Sequence, residues 1–303
     1  MRLNLKTALK SFWWILVLAF IGFFLISNLH RVETVIQRLP ISTIIYSICA
    51  LAIGKLFLVA IMHQSLQQYR VNLSAQRCFK IYNLTQLGKY IPGSIWQFVG
   101  RIGLYKEAGL SNHTIRDTIL LETFWVVFSA LLLGLALICI TQYELLISLF
   151  LQLPSRLLII ISSIAGIVIL VASIGTWRNK LIDYSRRLMY TPTSLLIALL
   201  IWFFLGFSFW ITLLPLSSIE IGLVYIIGLY ALSYAVGFVV PFAPAGIGIR
   251  ESILVFGLIP YLDTNTSIIL ATLNRIFYIA IEIILASTSL WISNKHPIED
   301  PIQ

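Results

Sequence analysis

The sequence predicts an all-α polytopic membrane protein, and three observations carry that prediction. Of 303 residues, 59% are hydrophobic and only 11% charged, against roughly 25% charged in a soluble domain. The mean hydropathy is +0.94. Several continuous apolar runs reach the ~20 residues needed to cross about 30 Å of hydrocarbon. A transmembrane β-barrel would instead show short segments of alternating polarity. The expected architecture is about seven transmembrane helices plus two broken or re-entrant segments, arranged as an internal pseudo-repeat (12–140 and 193–292). The whole of 1–303 reads as one integral membrane domain, and no soluble domain can be cut from it.

Taken in order, the first span is 12–28. It follows Arg2, Lys6 and Lys10 like the charged start of a signal peptide, but no small-residue cleavage site follows, so it is read as uncleaved. The second span is 41–61, then come 118–140, 156–175, 193–214, 222–240 and 266–292. Two stretches, 81–104 and 241–261, are apolar but interrupted. Arg70, Arg77 and Lys80 follow the second span, and Arg178, Lys180, Arg186 and Arg187 follow the fourth. Because cytoplasmic loops collect Lys and Arg, the N-terminus and the loops 62–80 and 177–192 are expected in the cytoplasm. Arg31 and Arg38 weaken that bias. Whether 241–261 spans or re-enters is open from sequence. Trp13, Trp14 and Trp291 read as interfacial anchors.

The interruptions hold the chemistry. Residues 89–101 read KYIPGSIWQFVGR and 239–251 read VVPFAPAGIGIRE. Proline removes a backbone N–H, and glycine admits angles that other residues resist. Backbone groups freed at bilayer depth must be buried in protein or line a wet cavity. A helix restarting near Ile249 would offer unpaired N–H groups to an anion, with Arg250 beside it and Glu251 as a local partner. Lys89, Pro92, Gly93 and Arg101 repeat that logic. Ordinary kinks near the interface explain the same letters, and at this level the two explanations are about equal. Paired interrupted segments point to a midplane site in a transporter; counting spans favours a parallel relation between them.

In the last span Arg275, Tyr278 and Glu282 share one helix face at i, i+3 and i+7. Intramembrane charges are costly and usually face an interior pathway; a function and a structural ion pair are equally compatible with Arg275 and Glu282. Glu122 sits near Asp117 at the start of a span, compatible with an interfacial place. Lys55, about two turns from a span end, reads as snorkelling to the interface.

Several functions are excluded by what is missing. No GxxxxGK[ST] loop is present, GIGIRE lacks a dinucleotide fingerprint's third glycine, and the histidines have no metal-ligand spacing. The three cysteines form no CxxC. Neither cofactor nor metal is expected, and a net charge of +9 spread between spans gives no nucleic-acid surface.

On KYIPG…R, Glu122 and PFAPAGIGIRE, nearly the whole chain (roughly 10–293) resembles the lysylphosphatidylglycerol synthase transmembrane-region family of flippase-like membrane proteins. PAGIGIRE is similar to the family's P-G-G-[LI]-G-x-R-E motif, with Ala245 where glycine is usual. The resemblance maps Lys89, Tyr90, Pro92, Gly93 and Arg101 onto its first motif, Glu122 onto its acidic residue and Arg275 onto its late-span arginine. It implies lipid transport: a phospholipid or lipid-linked headgroup moved between leaflets, a membrane lipid or lipid-linked glycan as partner, and a separate lipid-modifying enzyme or glycosyltransferase alongside. In full-length synthases an aminoacyl-transferase domain follows; none is expected here, so the chain is not expected to be an enzyme. Drawn together from the interrupted stretches, the last span and the resemblance, the headgroup-binding set is Lys89, Tyr90, Pro92, Gly93, Gln97, Arg101, Glu122, Pro244, Gly246, Gly248, Arg250, Glu251, Arg275, Tyr278 and Glu282. The alternatives are a membrane-embedded glycosyl- or phosphotransferase acting on a lipid carrier, and a non-transporting cell-envelope scaffold.

Overall fold

The computed structural model describes residues 39–91, 95–144, 192–216, 221–240 and 243–295, with Glu33 and Gln37 besides. The expected spans 12–28 and 156–175 lie outside the described residues, as do Pro92 and Gly93. Within them the protein is helical, without strands: α1 (Ile41–Gln68), α2 (Ala75–Gln86), α3 (Trp96–Glu107), α4 (Asn112–Thr141), α5 (Pro192–Leu213), α6 (Leu223–Val239), α7 (Ile249–Leu258) and α8 (Thr264–Lys295). Four of these, α1, α4, α5 and the Thr264–Ile292 part of α8, are long and apolar enough to cross a membrane. α6 is apolar but only 17 residues long, about 25 Å. About seven spans were expected; four are seen among the described residues.

Local chemistry starts and stops these helices. Ser74 and Ser111 cap α2 and α4, their hydroxyls accepting from the backbone N–H groups of Arg77 (3.3 Å) and Thr114 (3.2 Å), donors that a helix start otherwise leaves unpaired. Pro192 opens α5, where a missing N–H costs nothing. α1 ends in a Schellman turn: Arg70 N–H donates to Gln67 O (2.9 Å) and Val71 N–H to Leu66 O (3.1 Å), the motif that pairs the last carbonyls.

Polar pairs fix how the long helices lie. Ser47 of α1 meets Ser208 of α5 at 3.0 Å, Phe57 stacks on Phe204 at 5.7 Å, and the Gln68 side chain donates to Ser194 at 3.2 Å. As the α1 number rises the α5 number falls, so the two are antiparallel. The indole N–H of Trp202 donates to Ser129 at 2.8 Å, tying α5 to α4. Hydrogen bonds and close packing hold helices together where lipid removes the hydrophobic drive between them.

The first interrupted stretch is a helical hairpin, and the second makes another with the preceding 222–240, which was expected as a span of its own. In the first, α2 runs through a 3₁₀ turn (Leu87–Tyr90) and returns as α3. Gly88 lies so close to Trp96 and Gln97 that a Cβ on it would come within 2.8 Å of the Gln97 nitrogen, and Arg101 Nε reaches Thr85 at 3.5 Å. In the second, α6 is followed by a 3₁₀ turn (Pro244–Gly246) and by α7, which runs back beside it: Gly237 packs on Arg250, and the Tyr225 hydroxyl donates to Gly257 O at 2.7 Å. The ten residues of α7 make ~15 Å, half a bilayer. The first hairpin opens at the Gln68 end of the bundle, where the chain leaves α1 and enters α4. The second opens at the other end, where Gln142 after α4 donates to the Tyr261 hydroxyl. The hairpins therefore enter from opposite ends, an inverted relation where the span count favoured a parallel one. Their tips meet: Leu87, Tyr90 and Ile91 cluster with Ala245, Ile247, Ile279 and Ala286.

Candidate functional site

Charges that would be exposed in a soluble protein are buried at this meeting point. Lys55, Lys89, Arg101, Arg250, Arg275, Glu122 and Glu282 are all at most 8% exposed. Buried charges are costly unless they are paired, so each needs a partner.

Glu282 of α8 is the most heavily used. One carboxylate oxygen receives both Lys55 of α1 and Lys89 of the first hairpin's turn, and the other accepts from the Tyr90 hydroxyl at 2.6 Å. Both ammonium groups also face the Tyr278 ring, at 3.9 Å for Lys55 and 4.8 Å for Lys89. The snorkelling expected of Lys55 is therefore corrected: its face of α1 also carries the buried Leu51, Leu58 and Met62, so the side chain points into the bundle and cannot reach an interface.

Arg101 and Glu122 form a second group. Nη1 donates to both carboxylate oxygens at 2.5 Å, and the guanidinium lies 4.9 Å from the Tyr82 ring centre. An interfacial place for Glu122 is likewise corrected, since it is 6% exposed and faces α3.

The third group belongs to the second hairpin. Glu251 does not turn to its neighbour Arg250, because adjacent helical residues point about 100° apart. It accepts from the Gly248 N–H at 2.6 Å and lies 3.5 Å from Arg275 Nε. Arg275 Nη2 donates to Ala245 O at 2.7 Å, bracing the turn from α8. That turn is tight: Ala245 has φ 52° and Gly246 φ 70°, angles that suit glycine and strain alanine. A side chain on Gly246 would also collide with Gly237 O.

Arg250 has no carboxylate within ion-pair distance among the described residues. Its guanidinium sits between the rings of Tyr230, Tyr234 and Tyr278, 4.9–5.4 Å from their centres, and its Nε has no hydrogen-bond partner. It borders a cavity of about 180 Å³ lined by Lys89, Gln97, Tyr234, Gly237 and Gly246 among others. At ~30 Å³ per water, that is room for several waters or a small anion. A smaller recess beside it, about 20 Å³, holds the Arg101–Glu122 pair and shares Gln97, Phe98, Tyr234 and Phe238 as its wall.

Of the expected site residues, the structure brings Lys89, Tyr90, Gln97, Gly246, Arg250, Arg275, Tyr278 and Glu282 around the hairpin tips. Gly248 and Glu251 support the turn from behind, and Arg101 with Glu122 occupy the recess. Pro244 lies in the 3₁₀ turn itself. Three contributors escaped the sequence reading: Lys55, Tyr230 and Tyr234. Tyr230 and Tyr234 stand at i and i+4 on α6, one face, which was a usable signal; nothing in a single sequence ties Lys55 to Glu282. Among the described residues no group of three or more His, Cys, Asp or Glu could hold a metal ion. No protein-family model matches the chain, and no curated protein does.

Proposed function

We propose that the protein is a flippase-like transporter of the cytoplasmic membrane, moving a phospholipid or lipid-linked headgroup between leaflets. One observation carries the reading: a buried arginine with an unpartnered Nε borders a cavity where two helical hairpins from opposite ends of the bundle meet. A buried unpaired cation is expensive, and substrate and ion pathways are among the places where membrane proteins hold such groups. In this reading both hairpins are re-entrant and their tips form the midplane station for the headgroup. Arg250 is the principal anion ligand. Lys89 contacts the headgroup from the opposite hairpin, and Arg275 keeps the second turn in shape. Acyl chains stay in lipid, because the interrupted helices shelter polar groups only.

The resemblance to flippase-like synthase regions implies the same role. Leaflet-resolved transport of labelled lipid in reconstituted vesicles tests the proposal. Replacing Arg250 and Arg275 together by glutamine is expected to reduce the rate at least tenfold. Transport that persists unchanged in the double variant removes the site.

A further inference from the structure

Among the described residues the interior charges do not balance. Five cations (Lys55, Lys89, Arg101, Arg250, Arg275) share the interior with three carboxylates (Glu122, Glu251, Glu282), an excess of two positive charges among the described residues. Every one of those carboxylates is engaged. Glu282 holds two lysines and a tyrosine, Glu122 holds Arg101, and Glu251 holds the Gly248 N–H and Arg275. Among the described residues the cavity wall carries Lys89 and Arg250 and not one carboxylate.

Resting on the headgroup reading above, we infer that the cavity selects a headgroup with two negative charges and no cationic group, such as a lipid phosphomonoester or diphosphate, over zwitterionic phospholipids. Two features support the choice. First, Lys89 and Arg250 come from different hairpins and face one cavity, so a ligand touching both needs acceptor oxygens on two sides, which phosphate groups supply. Second, an ammonium group in the same space would meet Lys89, Arg250 and the Tyr234 ring, with no carboxylate among the described lining residues to receive it. Aromatic faces favour cations, yet those of Tyr230, Tyr234 and Tyr278 are already turned to Arg250.

Lys89 is the discriminating residue. It shares the Glu282 oxygen with Lys55, so its move toward a bound anion leaves Glu282 neutralised by Lys55. A singly charged headgroup is satisfied by Arg250 alone; the second charge calls on Lys89.

The test is equilibrium competition, read by native mass spectrometry of the full chain in non-ionic detergent. The probes are farnesyl phosphate, farnesyl diphosphate, phosphatidylglycerol, phosphatidylethanolamine and inorganic pyrophosphate. Both farnesyl esters are expected to bind at least tenfold tighter than the two phospholipids. In Lys89→Gln, farnesyl diphosphate is expected to weaken at least tenfold while phosphatidylglycerol changes less than twofold. Phosphatidylethanolamine binding as tightly as the farnesyl esters overturns the inference, and so does a Lys89→Gln loss equal for all lipids. If that binding still disappears in Arg250→Gln, the headgroup reading survives the failure. Pyrophosphate matching farnesyl diphosphate would keep the dianion preference and overturn the lipid reading instead. Should Lys89→Gln lose the wild-type melting transition, the wild-type comparison of lipid classes decides alone.

Discussion

Removing the carboxylate of Glu282 strands two lysines at once. Lys55 and Lys89 would keep their charges in a site 2–10% exposed, left with the Tyr278 ring and, for Lys89, the Gln86 side chain and the Tyr90 ring. Breaking a buried pair from one side costs about 3–5 kcal/mol, so Glu282→Gln is expected to lower the melting temperature in detergent strongly. Lys55→Met, which leaves Glu282 still paired with Lys89, should cost much less; equal losses in the two variants would contradict the shared-carboxylate geometry. Ala245 offers the opposite sign. It occupies the left-handed region at φ 52°, where an L-residue pays ~1–2 kcal/mol. Ala245→Gly should therefore raise the melting temperature, offset in part by the extra freedom glycine gives the unfolded chain. A lower melting temperature would show that the methyl group packs against the neighbouring tip by more than the strain it causes. The resemblance flagged this position as departing from glycine, while the strain itself needed coordinates.

At the scale of elements, close helix approach and capping decide stability. Gly206 on α5 lies against α6 so tightly that a Cβ would stand 2.7 Å from the Ile227 Cα. Small residues allow such approach in membranes. Gly206→Val should push α5 from α6 and destabilise by about 1–3 kcal/mol, seen as a lower melting temperature; an unchanged value would mean the helices can part freely. Asp263 precedes α8 and accepts from the Thr266 N–H at 3.0 Å. Hydrogen bonds from Thr266, side chain first and backbone second, hold its carboxyl below the usual range. A carboxylate with lowered folded pKa adds stability above its unfolded value of about 3.9, and that contribution disappears as pH falls through the folded value. The melting advantage of wild type over Asp263→Asn is thus expected at neutral pH and should vanish in strong acid. A gap that persists there would assign the effect to packing.

For the whole molecule, the hydrophobic runs and their breaks made the helical membrane class legible, and P-A-G marked the turn of the second hairpin. Composition could not reveal that 222–240 is the entering arm of a hairpin, since the 17-residue α6 within it looks like a span until Gly257 is seen beside Tyr225. Nor could it reveal direction: the chain must be traced through Gln142 and Tyr261 before the hairpins prove to enter from opposite ends. Charge partners were only half legible. Residues on one helix, such as Arg275, Tyr278 and Glu282, follow from periodicity, whereas Lys55–Glu282 joins positions 227 apart in sequence and depends on tertiary packing alone.

Water access to the chamber between the hairpin tips tests this account most directly. With Cys49, Cys78 and Cys139 replaced, a single cysteine at Gln97, which borders both the cavity and the recess, can be treated in vesicles with an impermeant anionic methanethiosulfonate. A cysteine at Leu132, 53% exposed on the apolar face of α4, is the lipid-facing control. The predicted result is rapid labelling of Gln97→Cys and none of Leu132→Cys. Equal resistance at both positions would mean a dry, closed interior and would contradict the chamber.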